Sequence, residues 1–292
     1  MREGQIIEGR GGLYTVRDKG GEAYVLRAKK KFRRQKISPL VGDLVLFTPG
    51  ELEEHGWVEE ILPRKSQFLR PPVANVDRLC IVAAPAPQPD WLLVDKLLLS
   101  AQRQQIIPLI VINKCDMDEE TLAFAKQTYR DAQAQVVGVS ARDGRGMDAL
   151  AQALQGGLCC FAGQSGVGKS TLLSRLLDMD LETGRISHRI QRGRQTTRHA
   201  SLLEANGIKA LDTPGFSLLE APDKMEPVTL PDNYPEFAPY LGQCRFTPCF
   251  HNQEPGCRVK EAAKIGEIDA QRLQRYQQLL SEVETNWRER YD

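Results

Sequence analysis

The sequence predicts three modules in series: a small OB-like or SH3-like β-barrel over residues 1–70, a doubly wound α/β domain over 71–220, and a helical module bearing a Cys/His cluster over 221–292. Three observations predict this division. Short strand patterns broken by turn residues fill the first 70 positions. Apolar runs then alternate with amphipathic helical stretches. Beyond them, three cysteines and a histidine crowd into residues 244–257, ahead of a helical pattern running from about Gly266 to Arg290. At 292 residues the chain has room for two or three domains.

In the first module, Glu3 to Val16, Ala23 to Arg27, Asp43 to Phe47 and Trp57 to Leu62 mix alternating and apolar patterns. Gly11-Gly12, Gly20-Gly21 and Pro49-Gly50 punctuate them, and Pro71-Pro72 reads as a linker. Arg27 to Lys36 holds seven positive charges, no acid and one ring, Phe32. Such a run makes a basic loop or strand edge able to contact phosphates, with Phe32 available to stack on a base. Taken alone, the run reads first as a solvated basic face. The formal charge of +1 hides an asymmetry: residues 1–70 carry 14 basic and 10 acidic side chains, 71–220 carry 16 of each, and 221–292 carry 9 and 12. Any nucleic-acid bias therefore lies at the N-terminal end.

In the second module, Leu79-Ala84, Pro108-Asn113, Val136-Ser140 and Leu158-Ala162 read as buried parallel strands. Asp90 to Arg103, Asp118 to Ala132, Met147 to Leu154 and Lys169 to Leu177 read as the intervening helices. Ser201-Ala205 and Ile208-Asp212, joined by Asn206-Gly207, form a predicted hairpin with a type I′ turn. Cys80, Cys115, Cys159 and Cys160 lie in or beside apolar runs and are expected to pack as small hydrophobes. No apolar run is long enough to span a bilayer, and the N-terminus shows no signal-peptide core. The expectation is a soluble, cytoplasmic, monomeric protein.

Gly163, Gln164, Ser165, Gly166, Val167, Gly168, Lys169, Ser170 and Thr171 match the full P-loop pattern, after a predicted strand and before a predicted helix. The glycines let backbone N–H groups wrap phosphates at a helix N-terminus. Lys169 would reach the β- and γ-phosphates, and the Ser170 hydroxyl would ligate Mg²⁺. The base is chosen by Asn113-Lys114-Cys115-Asp116. The Asp116 carboxylate can accept from both the N1–H and the exocyclic amine of guanine, which adenine cannot supply. Asn113 would brace the loop, Lys114 would lay its stem over the ring, and Ser140-Ala141 would offer a backbone N–H to guanine O6. The expected ligands are GTP and GDP.

Asp212-Thr213-Pro214-Gly215 offers a water-mediated magnesium carboxylate and a glycine N–H for the γ-phosphate. Gly193 to Arg198 includes Thr196 and Thr197, either of which could ligate magnesium when GTP orders the segment. Where many small GTPases carry a water-orienting glutamine after the switch glycine, this chain has Phe216, so intrinsic hydrolysis should be slow. Cys244, Cys249, His251 and Cys257 match a closed tetrahedral structural zinc site, one ion per chain.

The order of these parts is unusual. The base elements at 113–116 and 140–142 precede the P-loop at 163–171, whereas an ordinary small GTPase begins with the P-loop. The domain reads as circularly permuted, which is tolerable because domain termini are often close together. Barrel, permuted GTPase and Cys/His module together resemble the ribosome small-subunit-dependent GTPase A family, also called RsgA, YjeQ or YloQ, over essentially the whole chain. The resemblance implies an OB-fold, a permuted GTPase and a zinc-binding helical domain. It also implies a role late in maturation of the small ribosomal subunit, with rRNA contact and subunit-stimulated hydrolysis. It points to the residue before the switch threonines as the water positioner, usually histidine in the family. Here that residue is Gln195, which either takes that role or is a solvated loop residue. The five arginines between Gly184 and Ser201 could make that loop an RNA contact too. A nucleotide-sensing RNA-binding adaptor is the alternative to an enzyme.

Overall fold

The computed structural model describes residues 1–50, 55–179, 200–212 and 225–289. Its strands and helices, in chain order, are β1 (Arg2–Arg10), β2 (Leu13–Asp18), β3 (Ala23–Ala28), α1 (Lys30–Arg34), β4 (Leu44–Thr48), β5 (Gly56–Ile61), β6 (Gln67–Phe68), β7 (Val73–Ala74), β8 (Arg78–Ala83), α2 (Trp91–Arg103) and β9 (Ile107–Ile112). They continue with α3 (Glu120–Thr128), β10 (Gln135–Gly138), α4 (Met147–Leu154), β11 (Leu158–Ala162), α5 (Lys169–Leu177), β12 (Ser201–Ala205), β13 (Ile208–Asp212), α6 (Arg258–Lys264) and α7 (Ala270–Glu289). They fall into two compact units, one of Met1–Leu79, Met147–Phe161 and Lys169–Phe216, the other of Cys80–Gly146, Ala162–Gly168 and Ser217–Asp292.

In the first unit, five strands run in the order β1-β2-β3-β5-β4, and pairing of β1 with β4 closes them into a barrel of OB type. Alternation turns Ile6, Val16, Leu26, Val45, Phe47 and Val58 into its core, each fully buried. The basic run is not a loop. It forms the short helix α1, which turns Phe32 inward and leaves Lys30, Lys31, Arg33 and Arg34 exposed. Phe32 is only 5% exposed, so the expectation that it stacks on a base is wrong: its ring belongs to the core. The Pro71-Pro72 segment is no open linker either. Pro71 is buried in the connection of the β6–β7 pair, and Ala74 donates its N–H to the Val41 carbonyl at 2.9 Å.

The rest of this unit holds β11, β13 and β12. Strand β11 runs parallel to β13, and β12 pairs antiparallel with β13 through a turn at Asn206 and Gly207, both at positive φ (52° and 76°). Those angles are what a type I′ turn needs, as the sequence predicted. Asn206 also donates its side-chain amide to the Leu176 carbonyl at 3.2 Å, fixing the turn to α5.

In the second unit, β9 pairs with β8 and, in parallel, with β10. Helix α2 is capped by Asp90, whose carboxylate accepts from the Leu93 N–H at 2.9 Å. The chain beyond residue 225 packs Tyr234, Phe237, Tyr276, Leu279, Leu280 and Val283 into its own core. The long helical pattern expected from Gly266 resolves into α7, with α6 lying just before it. One buried ionic cluster joins this module to α2. Asp95 accepts from Arg272 at 2.7 Å, from Arg275 at 2.6 Å and from the Tyr129 hydroxyl at 2.7 Å, while Arg272 also pairs with Glu236. No sequence pattern announced it. Among the described residues, no helix is long and apolar enough to cross a membrane.

Candidate functional site

The residues expected to recognise a base converge within the second unit. Asn113, 2% exposed, follows β9 and uses both ends of its amide. Its Nδ2 donates to the Val167 carbonyl at 2.9 Å, and its Oδ1 accepts from the Ala141 N–H at 3.1 Å. One side chain therefore joins all three motifs. Lys114 adopts a positive φ of 62° and donates Nζ to the carbonyls of Ala86 (2.6 Å) and Gly166 (2.9 Å). That brace was not foreseen, because a lysine in this motif gives no sign of which carbonyls it will reach. Ser140 is fully buried, and its hydroxyl accepts from the Asp143 N–H at 3.3 Å, shaping the loop that presents Ala141.

Asp116 tests the fit of guanine. Its Oδ1 is buried and has no hydrogen-bond partner, while its Oδ2 lies 3.9 Å from the exposed Arg142 guanidinium. A buried acceptor left open costs about 1–3 kcal/mol. A ligand edge carrying a ring N–H beside an amine would remove that cost; guanine presents both donors side by side, and adenine has no ring N–H on that edge. The residues present fit the base.

The P-loop backbone is shaped for close approach. At Gly163 a Cβ would lie 2.1 Å from the Val82 carbonyl oxygen, and at Gly168 it would lie 2.4 Å from Asn113 Nδ2. No other residue fits either place. Gln164, Ser165 and Gly166 lie at or near the surface, and Val167 is buried. Lys169 opens α5, and Ser170 and Thr171 are exposed in its first turn. Burial draws the Lys169 ammonium below its usual range and pushes the Asp212 carboxyl above its own. Both groups thus pay for leaving water, and each would recover from a charge of opposite sign, a phosphate for Lys169 and a magnesium ion for Asp212. Gln195, Thr196, Thr197, Gly215 and Phe216, with most of the arginine-rich loop, lie outside the described residues.

Cys244, Cys249, His251 and Cys257 come together as expected. Their ligand atoms all lie within 4.8 Å of one another. Cys244 Sγ is 3.7 Å from His251 Nδ1 and 4.0 Å from Cys257 Sγ, and Nδ1 is 3.3 Å from Cys257 Sγ. A tetrahedral zinc spaces its sulfur and nitrogen ligands by roughly 3.5–3.8 Å, so the set fits. Burial and the neighbouring thiols push Cys249 up to about 12, and burial lowers His251 below its usual range. Three crowded thiols resist ionising together until a cation compensates them. The loop is held from outside the cluster. The Glu254 carboxylate accepts from the N–H groups of Phe250 (2.8 Å) and Asn252 (2.9 Å), and Tyr276 of α7 donates to the Phe250 carbonyl at 2.9 Å. Cys80, Cys115, Cys159 and Cys160 are buried, as their apolar settings suggested.

The family models decide what this arrangement belongs to. The one described as RsgA GTPase matches residues 61–222, and the one described as RsgA N-terminal domain matches residues 3–58. The chain belongs to the RsgA GTPase family. A Ruminiclostridium cellulolyticum protein named small ribosomal subunit biogenesis GTPase RsgA is 44% identical, over 96% of this chain and 93% of that relative. A protein of the same name from Geobacillus thermodenitrificans is 42% identical over 97% and 98%. Among solved structures, YjeQ from Thermotoga maritima superposes with a TM-score of 0.82 at 34% identity, covering 97% of this chain and 98% of that one. YloQ, described as a circularly permuted GTPase, gives 0.79 at 31% identity, covering 98% and 96%. The placement of base motifs before the P-loop agrees with the permutation described for YloQ.

Proposed function

We propose that this chain is a magnesium-dependent GTPase acting in late maturation of the small ribosomal subunit, and that the subunit stimulates its hydrolysis. The observation that carries the guanine assignment is the buried, unpartnered Oδ1 of Asp116 beside a loop that Asn113 ties to the P-loop. Family membership and the names of the relatives support the ribosomal role. Asp116 reads the base edge, while the Ala141 N–H, expected to reach guanine O6, is held by Asn113 Oδ1. The P-loop N–H groups and Lys169 hold the phosphates, and Ser170, with Thr196 or Thr197, supplies oxygen ligands for magnesium. Asp212 steadies the ion through water, and Gly215 offers its N–H to the γ-phosphate. Bound magnesium would offset negative charge on the phosphate oxygens. Gln195 positions the attacking water, because Phe216 cannot.

The Cys/His set takes one zinc ion, which holds the fold and performs no chemistry. The cations of α1 contact rRNA, and the protein works as a cytoplasmic monomer. The division into modules at 1–70, 71–220 and 221–292 follows this assignment of roles. The test is the GTP hydrolysis rate with and without purified small subunits, with ATP as the control nucleotide. Stimulated turnover of GTP alone supports the proposal. An unstimulated rate would turn it toward a nucleotide-sensing adaptor, and equal turnover of ATP would end the guanine assignment.

A further inference from the structure

The barrel and the hairpin that delivers Asp212 share one edge of one strand. From Arg2 to Gln5, β1 pairs with β4 and closes the barrel. On its other edge a bulge shifts the register of β1 against β2 between Ile6 and Glu8, and beyond Gln5 the edge that held β4 continues onto β12, with Glu8 opposite Ser201. A bulge bends and twists the strand that carries it, which is how one edge can serve two partners. Ser201 is the first residue of β12 and stands three positions after Arg198 of the arginine-rich loop. Beyond that pair the strands part around a cleft of about 190 Å³ lined by Gln5, Arg17, Leu202, Glu204 and Lys209, among others. A single ion pair crosses it among the described residues: Arg17 Nη1 of β2 lies 3.0 Å from Glu204 Oε2 of β12. Lys209 of β13, directly opposite Glu204, lies 3.5 Å from Oε1. Three residues further on, β13 ends at Asp212.

We infer that Arg17 and Glu204 are positioning residues: they latch the barrel to the hairpin that carries Asp212, so that a load on the barrel reaches the magnesium end of the site. The part concerning the ribosome rests on the function proposed above. Both side chains are about one-third exposed (32% and 37%), and a pair at that exposure contributes little to stability. Its role is to choose how β12 leans on β1. Glu8 and Ser201 act as the pivot and the ion pair sets the angle.

The experiment uses full-length Arg17→Glu, which places two carboxylates face to face, and Arg17→Glu with Glu204→Lys, which restores opposite charge. Hydrogen exchange with magnesium and a non-hydrolysable GTP analogue needs no ribosome. In the wild type, nucleotide should slow exchange in β12 and in the Gly9–Arg10 end of β1; in Arg17→Glu the slowing should stop at β12, and the double variant should recover it. With saturating small subunits, stimulated hydrolysis should fall about five-fold in Arg17→Glu and return in the double variant, with subunit affinity unchanged. Nucleotide that leaves β1 exchange untouched in the wild type overturns the latch whatever the ribosome does. So does a defect in Arg17→Glu that Glu204→Lys fails to repair, since Arg17 would then be acting on something other than Glu204. A wild type whose exchange couples as described but whose hydrolysis ignores subunits would leave the latch standing and overturn the ribosomal reading alone.

Discussion

Asn113 holds the carbonyl of Val167 at 2.9 Å while accepting from the Ala141 N–H at 3.1 Å, so the base-reading loops and the phosphate loop are set by one amide. Its Nδ2 is also what forbids a side chain at Gly168. Removing it would leave a buried N–H and a buried C=O without partners, at about 1–3 kcal/mol each. Asn113→Ala should therefore weaken GTP and GDP by similar factors of at least ten, measured by titration calorimetry. Asn113→Asp keeps the acceptor toward Ala141 and loses the donor toward Val167, so its affinity should lie between.

Asp116→Asn exchanges an acceptor for a donor at the base edge. Guanine affinity should fall by about 10³ or more and xanthine nucleotides should gain, because their carbonyl replaces the guanine amine. Competition binding with GDP and XDP measures both. Unaltered guanine affinity would mean that another residue reads the base.

Lys169→Ala and Ser170→Ala should fail differently. On the proposed assignment the first removes a cation from the β- and γ-phosphates, and its binding defect should persist at any magnesium concentration. The second would act through the proposed magnesium ion, so its defect should shrink as magnesium rises. Fluorescent-nucleotide titrations across a magnesium series separate the two.

Zinc removal should act locally at first. Purified protein should contain one zinc per chain by elemental analysis, and Cys249→Ser should release it. The 249–257 loop, pinned by Glu254 and Tyr276, should then become sensitive to proteolysis. Zinc retained at full stoichiometry in that variant would remove Cys249 from the ligand set.

The Asp95 cluster makes a contrasting pair of stability predictions. Asp95→Ala takes the buried carboxylate from Arg275 and leaves Arg272 with Glu236 alone, at a cost of about 3–5 kcal/mol. Lys96→Ala, one residue along α2, breaks only the partly exposed pair with Glu282 and should cost less than about 1 kcal/mol. Urea midpoints of the two variants test this directly. Equal midpoints would show that the cluster carries no special weight.

What the sequence by itself determined were the features whose physics is local. A P-loop pattern needs its glycines, lysine and serine within nine positions, a type I′ turn needs Asn-Gly, and a Cys/His cluster able to hold a metal needs its three sulfurs and one nitrogen at short spacing. Each was legible because its partners lie within about fifteen residues, and their order revealed the permutation without any coordinates. What only the tertiary structure decided were the matters of facing. Phe32 sits in a run of cations that reads as surface, yet one turn of helix rotates it into the barrel. Pro71-Pro72 reads as a break, yet residues more than 25 positions earlier bind the neighbouring strand. Lys114 Nζ reaches carbonyls 28 and 52 positions away, Arg17 meets Glu204 across 187, and Asp95 meets Arg275 across 180. A charge at one position leaves no periodic trace of its partner at another. Such pairings exist only once the sheet edges and helices have been placed, because direction in space, not residue type, selects which opposite charge is within reach.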